Sequence, residues 1–381
     1  GAILLMLVPT GTGPPGVGPG GNGAAASGVG LAAPSAPNSF GGWVTDGGSA
    51  NRSGYTPLGG PLSVATGNVY CPSSYPLRTG VVATGPLVYT ADVFGDVFAI
   101  NRTQLDAGGG NGTVVWRASV GNAPTTPDVS SGFLVIGDAD GAVTALDLRT
   151  GAVQWVHTFA SPVLTGIAVV NGTVYLGTLN GTVAAVALAG GRTNWTVSAG
   201  GPLSGAVAVS GGRVFAATSV GGLVAFSAGT GARLWNITTG RLLSPGVGPA
   251  VYGNRVVLAA NATAVASYAA QNGSLQWLWN GAGFAPRDRI EAEPTLSGTT
   301  VFVQTHEGNL YGINATTGIL RWNESNPQFV AGYPVYSAAA STPSVLYAYD
   351  ATQQLKAISL ATGRVLWRAT FLSVSYGPVA I

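Results

Sequence analysis

Charge is what this chain has least of. Charged residues are 8% of its 381 positions, against about a quarter in ordinary soluble domains, so Ser, Thr, Asn, Gly and backbone must cover most of the surface. Lys356 is the one lysine and the net charge is +2, which leaves no basic patch to hold phosphates and argues against nucleic acid as a partner. So few carboxylates and amines keep nearly the same charge state over a wide pH range, which suits an extracellular and even an acidic setting. The ion-pair networks of many heat-stable proteins are also missing, so stability has to come from packing, closure or glycans.

Cysteine and histidine are nearly absent. Cys71 stands alone, so an intramolecular disulfide is excluded and the residue reads as a buried, inert thiol. With His157 and His306 the only histidines, no Cys/His spacing of a zinc site exists. The residues offer no catalytic, cofactor-binding or metal-binding set, and the expectation is a protein that is not an enzyme and carries no cofactor. Long apolar runs are missing too: Ala2, Ile3, Leu4, Leu5, Met6, Leu7 and Val8 form a run far shorter than the roughly 20 residues a transmembrane helix needs. The chain begins at Gly1 rather than Met, from which we expect that a leader has been removed.

Glycine and proline, by contrast, are abundant, at 59 and 23 residues. They dominate residues 9 to 39, a low-complexity stretch with no hydrophobic period, read as a linker. Gly11, Gly13 and Gly16 there spell GxGxxG, but Pro14 and Pro15 stand where a helix should open, so the dinucleotide-binding reading fails. The expected organisation is residues 1–40 as an apolar strand plus linker and residues 41–381 as one repeat domain.

From Trp43 onward the chain repeats itself. A Gly stands four residues before a Trp at Gly112/Trp116, Gly151/Trp155, Gly191/Trp195, Gly231/Trp235, Gly273/Trp277, Gly318/Trp322 and Gly363/Trp367. Successive Trp residues lie 39, 40, 40, 42, 45 and 45 positions apart, the period of a four-stranded propeller blade. Residues 127 to 155, PDVSSGFLVIGDADGAVTALDLRTGAVQW, show the internal grammar: short apolar runs separated by Gly, Asn and Asp turns. The Gly permits a backbone with positive φ, and the Trp supplies an apolar plate between adjacent blades. A blade cannot bury both of its faces alone, so the blades must stack in a ring.

The unit [VL]Y-x-G-x-x-x-G-x-V-x-A-[IL]-[DN]-x-x-T-G-x-x-x-W, over about residues 80 to 381, resembles the repeat of the pyrroloquinoline-quinone-like (PQQ-like, or quinoprotein-type) β-propeller superfamily. That superfamily includes quinoprotein alcohol dehydrogenases and an outer-membrane assembly lipoprotein. The segment from Trp43 through Arg52-Ser-Gly-Tyr-Thr-Pro57 is similar to the opening of those enzymes. The resemblance implies an all-β fold, and for the enzymes a central quinone, a calcium or lanthanide on acidic and amide side chains, a catalytic Asp and often a vicinal disulfide. One cysteine forbids that disulfide here, and the family repeat is shared by enzymes, scaffolds and sensors.

Seven Trp units are complete, and Ser373 to Ile381 (SVSYGPVAI) matches the first strand of a further one. Strand-like pieces in residues 41 to 79 supply the rest, so eight blades closed by both termini are favoured, with seven as the alternative. Two acidic features are candidate sites. Arg287-Asp288-Arg289-Ile290-Glu291-Ala292-Glu293, with His306-Glu307, reads as a self-neutralising solvated loop. Asp138-Ala-Asp140-Gly141 lacks the closing Glu of a calcium loop and reads as a hairpin turn.

Asn-x-Ser/Thr occurs at Asn51, Asn101, Asn111, Asn171, Asn180, Asn194, Asn236, Asn261, Asn272, Asn314 and Asn323. About three would arise by chance, so N-linked glycans and secretion to an archaeal-type cell surface are expected. Asn-Gly-Thr or Asn-Gly-Ser at Asn111, Asn171, Asn180 and Asn272 is also good hairpin chemistry. The apolar segment Ala2 to Val8, on its tether, reads as a strand that inserts into a neighbouring copy, giving a head-to-tail homopolymer: a structural subunit of a surface filament. A monomeric propeller that binds a protein or glycan partner is the alternative, and a quinoprotein-like dehydrogenase the third reading.

Overall fold

The computed structural model describes residues 3–4, 50, 52, 69–70, 72–77, 79–101, 114–239, 247–281, 288–290, 292–325, 339–349 and 354–370. Every regular element among them is β-strand, arranged as seven four-stranded antiparallel sheets and one two-stranded sheet. Each four-stranded sheet uses four consecutive strands in chain order, the arrangement that short Gly and Asn turns dictate. We number these sheets as blades 1 to 7, beginning at Val82, Asp128, Ala168, Ala208, Ala250, Thr295 and Ala340. Of residues 41–79 and 373–381, expected to supply an eighth blade, the described part is residues 50, 52, 69–70, 72–77 and 79, with Val69–Tyr70 as its strand.

The first strands of successive blades meet, from blade 1 with blade 2 through blade 6 with blade 7, which sets them around a common axis. The second and third strands are buried along nearly their whole length: Phe133–Gly137 and Ala142–Asp147 in blade 2 show only their end residues partly exposed. Both faces of such strands are covered, which explains why they read as continuous apolar runs rather than alternating ones. The hydrophobic core is correspondingly divided into layers between blades. One layer joins Tyr89 and Ala99 of blade 1 to Leu134 and Ile136 of blade 2, and another joins Val135 and Val143 of blade 2 to Val174 and Val186 of blade 3.

The fourth strand of every blade carries the repeat Trp and a register shift beside it. In blade 3, Trp195 faces Ala185 and Thr193 faces Val186, so Asn194 is the extra residue of a β-bulge. The same shift makes Val115, Gln154, Leu234, Gln276, Arg321 and Leu366 the extra residues of their blades. Across from the Trp stands Ala99, Ala145, Ala185, Ala225, Ser267, Gly312 or Ala357. Small side chains there leave room for the indole.

In blades 1 to 6 the indole reaches the following blade. Trp116, Trp155, Trp195, Trp235, Trp277 and Trp322 donate Nε1–H to the carbonyls of Leu148, Leu188, Ala228, Ala270, Ala315 and Leu360, at 2.7 to 3.3 Å. The ring also lies against the Gly that precedes the next Trp, as Trp155 does against Gly191. One residue therefore fills the layer between blades and ties it with a hydrogen bond.

For Trp367 of blade 7 the described packing is within its own blade. Its ring is half-buried and lies against Tyr347 of its own blade, centroids 5.9 Å apart and planes tilted by 47°, in a cluster made of blade 7 residues alone. The pairing with Tyr347 repeats that of Trp116 with Tyr89 in blade 1, so the seat within the blade is kept. Trp367 is on the last described outer strand, Val365–Thr370, and the chain beyond it lies outside the described residues. The inter-blade role is thus seen for six of the seven named Trp residues.

Candidate functional site

Three features could carry function: the N-terminal strand, the segment at Arg52, and the outer strands with their sequons. Ile3–Leu4 pairs antiparallel with Val69–Tyr70 of the same chain, Ile3 opposite Tyr70 and Leu4 opposite Val69. The rest of the segment Ala2 to Val8 lies outside the described residues. Ile3–Leu4 thus adds a two-residue strand to the segment just ahead of blade 1.

Arg52 is fully buried with φ of +53°, a conformation a non-glycine residue holds only when its surroundings fix it. Its Nε donates to the carbonyl of Val207 at 2.9 Å and its Nη2 to that of Ile167 at 3.3 Å. One residue separates it from Ala50, whose carbonyl accepts from Val209 N at 2.8 Å. Val207 and Ile167 immediately precede the first strands of blades 4 and 3, so Arg52 pins the chain leading into the ring against the axis. Gly166 makes the space, since a β-carbon there would collide with the guanidinium. Sequence reasoning treated Arg52 only as part of a resemblance; the burial of an arginine leaves no periodic signal to read.

The sequon asparagines fall in two settings. Asn194, Asn236 and Asn323 are exposed on outer strands, where a side chain stands clear of the ring. Asn171, Asn180, Asn261, Asn272 and Asn314 sit in or beside hairpin turns. Several of these brace the turn: Asn180 Oδ1 accepts from the Thr178 hydroxyl and from Thr182 N, at 2.7 and 3.1 Å, and Asn314 Oδ1 accepts from Thr316 N at 2.9 Å. Asn101 ends the third strand of blade 1. Asn51 and Asn111 lie outside the described residues, as do Cys71 and Trp43.

The acidic features turn out to be bracing. Asp288 is buried rather than solvated: its Oδ1 accepts from Glu307 N at 3.1 Å and its Oδ2 from Asn309 Nδ2 at 2.8 Å. A loop carboxylate with this many local donors is drawn inward by them, which composition cannot show. Arg287 and Glu291 lie outside the described residues. Burial, then the carboxylates of Asp288 and Glu307, raise the Tyr311 phenol above its ordinary range. Asp138 Oδ1 accepts from Asp140 N and Ala142 N, both at 2.9 Å, and its Oδ2 from Gly121 N at 3.1 Å. Its acceptor oxygens are spent on the turn and on the preceding loop.

Two carboxylates near the axis staple blades together. Asp128 Oδ2 accepts from Val169 N at 2.9 Å, and Glu293 Oε1 from Gly248 N at 3.1 Å. Among the described residues no three His, Cys, Asp or Glu stand together as metal ligands. Lys356 is buried, its Nζ 3.4 Å from Glu324 Oε1 of the adjacent blade. No helix among the described residues is long and apolar enough to cross a membrane.

Consecutive four-stranded blades, stacked through a Trp and Gly ladder around an axis, define a β-propeller of the quinoprotein-type repeat class. Sequence comparison agrees: the family model described as outer membrane protein assembly factor BamB matches residues 49–181, 179–328 and 279–375. The chain belongs to that family. No curated protein matches its sequence. Among solved structures it is similar to BamB from Moraxella catarrhalis at 18% identity and a TM-score of 0.59, over 80% of this chain and 86% of that one. A europium-containing methanol dehydrogenase is similar at 14% identity and a TM-score of 0.69, over 89% and 87%. A quinohemoprotein alcohol dehydrogenase of Pseudomonas putida HK5 matches at 12% identity and a TM-score of 0.66, over 89% and 73%. At these identities the likeness is one of fold, and it spans enzymes and an assembly factor alike.

Proposed function

We propose that this chain is an extracellular, glycosylated structural subunit, assembled head to tail by insertion of its N-terminal strand into the neighbouring copy. The observation that carries the reading is the antiparallel pairing of Ile3–Leu4 with Val69–Tyr70. It supports a strand-addition role for the apolar segment at a defined acceptor. A tether spanning residues 9 to 39 reaches at most about 100 Å, long enough for the same pairing to form within a chain or with the next one. Burying each large apolar residue of the segment contributes about 1.5 to 3 kcal/mol, offset in part by ordering the tether. A contact of this kind is heterologous and propagates.

The pairing within one chain also favours a second reading, a monomeric secreted propeller whose tail packs on itself and whose face binds a protein or glycan. Deleting residues 1–8 separates the two. The filament reading expects folded monomers from the deletion and polymers from the full chain, by electron microscopy and sedimentation. A full-length monomer, or a truncated chain that still assembles, would replace it with the binding-module reading. Quinone-dependent, dye-linked alcohol oxidation by the purified protein with calcium would instead promote the enzyme reading.

A further inference from the structure

The outer strand of a propeller blade is an open sheet edge, and such edges join other chains unless charge, proline, a bulge or a bulky group blocks them. All seven described outer strands share the bulge beside the Trp, and five carry a further block. Val114–Ser119 has Arg117, Arg233–Thr238 has Arg233 and the sequon Asn236, Leu320–Glu324 has Arg321 and the sequon Asn323, and Val365–Thr370 has Arg368. Thr193–Ser198 has no charge, but its outward side chains are the sequon Asn194 with Thr196 and Ser198, all polar. Val153–Thr158 of blade 2 and Leu275–Asn280 of blade 5 carry neither charge nor sequon. Those two also show the most apolar surface: Val153 and Val156 are 54% and 55% exposed, Leu275 and Leu278 56% and 48%. His157 turns inward, its Nε2 3.2 Å from the Thr193 hydroxyl, and the sequon Asn272 lies in the turn before Leu275, at one end of that strand.

We propose that these two edges are lateral contacts between copies of this chain, the Val153–Thr158 edge of one copy pairing with the Leu275–Asn280 edge of another. The occupant follows from the edges themselves. An uncharged, six-residue apolar edge fits a strand that is likewise uncharged and apolar, and among the described strands each copy presents one further edge of that kind, of the same length, three blades away in chain order. One such pair falls below the roughly 1,200 Å² of a stable interface, so it holds when repeated along an array and not in isolated dimers. The contact does not involve the N-terminal strand.

The test uses full-length protein with Cys71→Ser, so that an introduced cysteine is the sole thiol. A Val156→Cys copy mixed with a Leu278→Cys copy under mild oxidation is expected to give a disulfide-linked pair, about tenfold more than either copy alone. Equal yields alone and mixed, or none at all, overturn the pairing. A second arm uses Val156→Lys and Leu278→Lys, both outward-facing, and expects side-by-side association by sedimentation to weaken about tenfold or more. Unchanged association overturns the proposal. The lysine substitutions leave head-to-tail growth through the N-terminal strand intact while side-by-side association weakens, so the two contacts fail separately.

Discussion

Trp155 of blade 2 rests against Gly191 of blade 3, so close that a β-carbon on Gly191 would stand 2.6 Å from its Cε3. Gly191 also has φ of +69°, so two separate demands meet at one glycine. Gly172 isolates one of them: its φ is +72°, yet nothing lies within 4 Å of where a β-carbon would be. Gly172→Ala should therefore lose about 1 kcal/mol, the backbone cost alone. Gly191→Ala should lose about 3 kcal/mol or more, because the indole must also shift. Denaturant unfolding of both variants checks this, and equal losses would show that the contact with Trp155 costs nothing to disturb.

The Trp period and the turn glycines were enough to read the propeller, because local turn chemistry and a long-period repeat are written in the chain. The direction of each contact was not. Gly191 reads as a turn residue for its own blade, and only the ring shows that it is a seat for Trp155 of the blade before. The bulge at Asn194 was equally hidden, since the spacing of one extra residue leaves the apolar pattern intact. Asp138 reads as a turn residue and is one, whereas the segment at Asp288 reads as a solvated loop because sequence reports carboxylates but not the backbone and amide N–H groups that draw them inward.

Arg52 offers a second measurement. Replacing it with Met keeps much of the volume but leaves the carbonyls of Val207 and Ile167 without these donors inside a buried site. Stability is expected to fall by about 2 to 4 kcal/mol. If the side chain is what holds the entering segment on the axis, limited proteolysis ahead of Thr79 should also quicken in Arg52→Met. A variant with wild-type unfolding and wild-type digestion would reduce Arg52 to a space-filler.

Few groups titrate, and their shifts define a wide plateau. Asp96 is held below the usual carboxylate range mainly by its hydrogen bond to Arg117, and Asp147 by the Thr150 hydroxyl. A lowered folded pKa stabilises above the unfolded value and is lost as pH falls, so the contribution of both is in place above about pH 4 and changes with pH only below it. Burial pushes the phenols of Tyr89 and Tyr347 up to about 12. A raised folded pKa stabilises below the unfolded value and is lost as pH rises, here between about pH 10 and 12. Thermal unfolding is expected to shift little from about pH 4 to 10 and to drop on the alkaline side. A steep change near neutrality would show that some other group governs the fold.

An N-linked glycan is attached through Nδ2, which leaves Oδ1 free to accept, so glycosylation is compatible with the turn-bracing of Asn180 and Asn314 as well as with the open positions Asn194, Asn236 and Asn323. The purified native protein should be heavier than 38.0 kDa by several glycans, with occupied peptides at Asn194, Asn236 and Asn314. Substitution then separates glycan from side chain. Asn180→Gln should lose about 1 kcal/mol even in protein made without glycans, because the Thr178 and Thr182 donors forfeit their acceptor in the turn. Asn194→Gln should be neutral in that protein, since the residue is an exposed bulge with no turn to brace. Unmodified peptides at all three sites would remove the main support for an extracellular setting and leave the sequons as turn chemistry and chance.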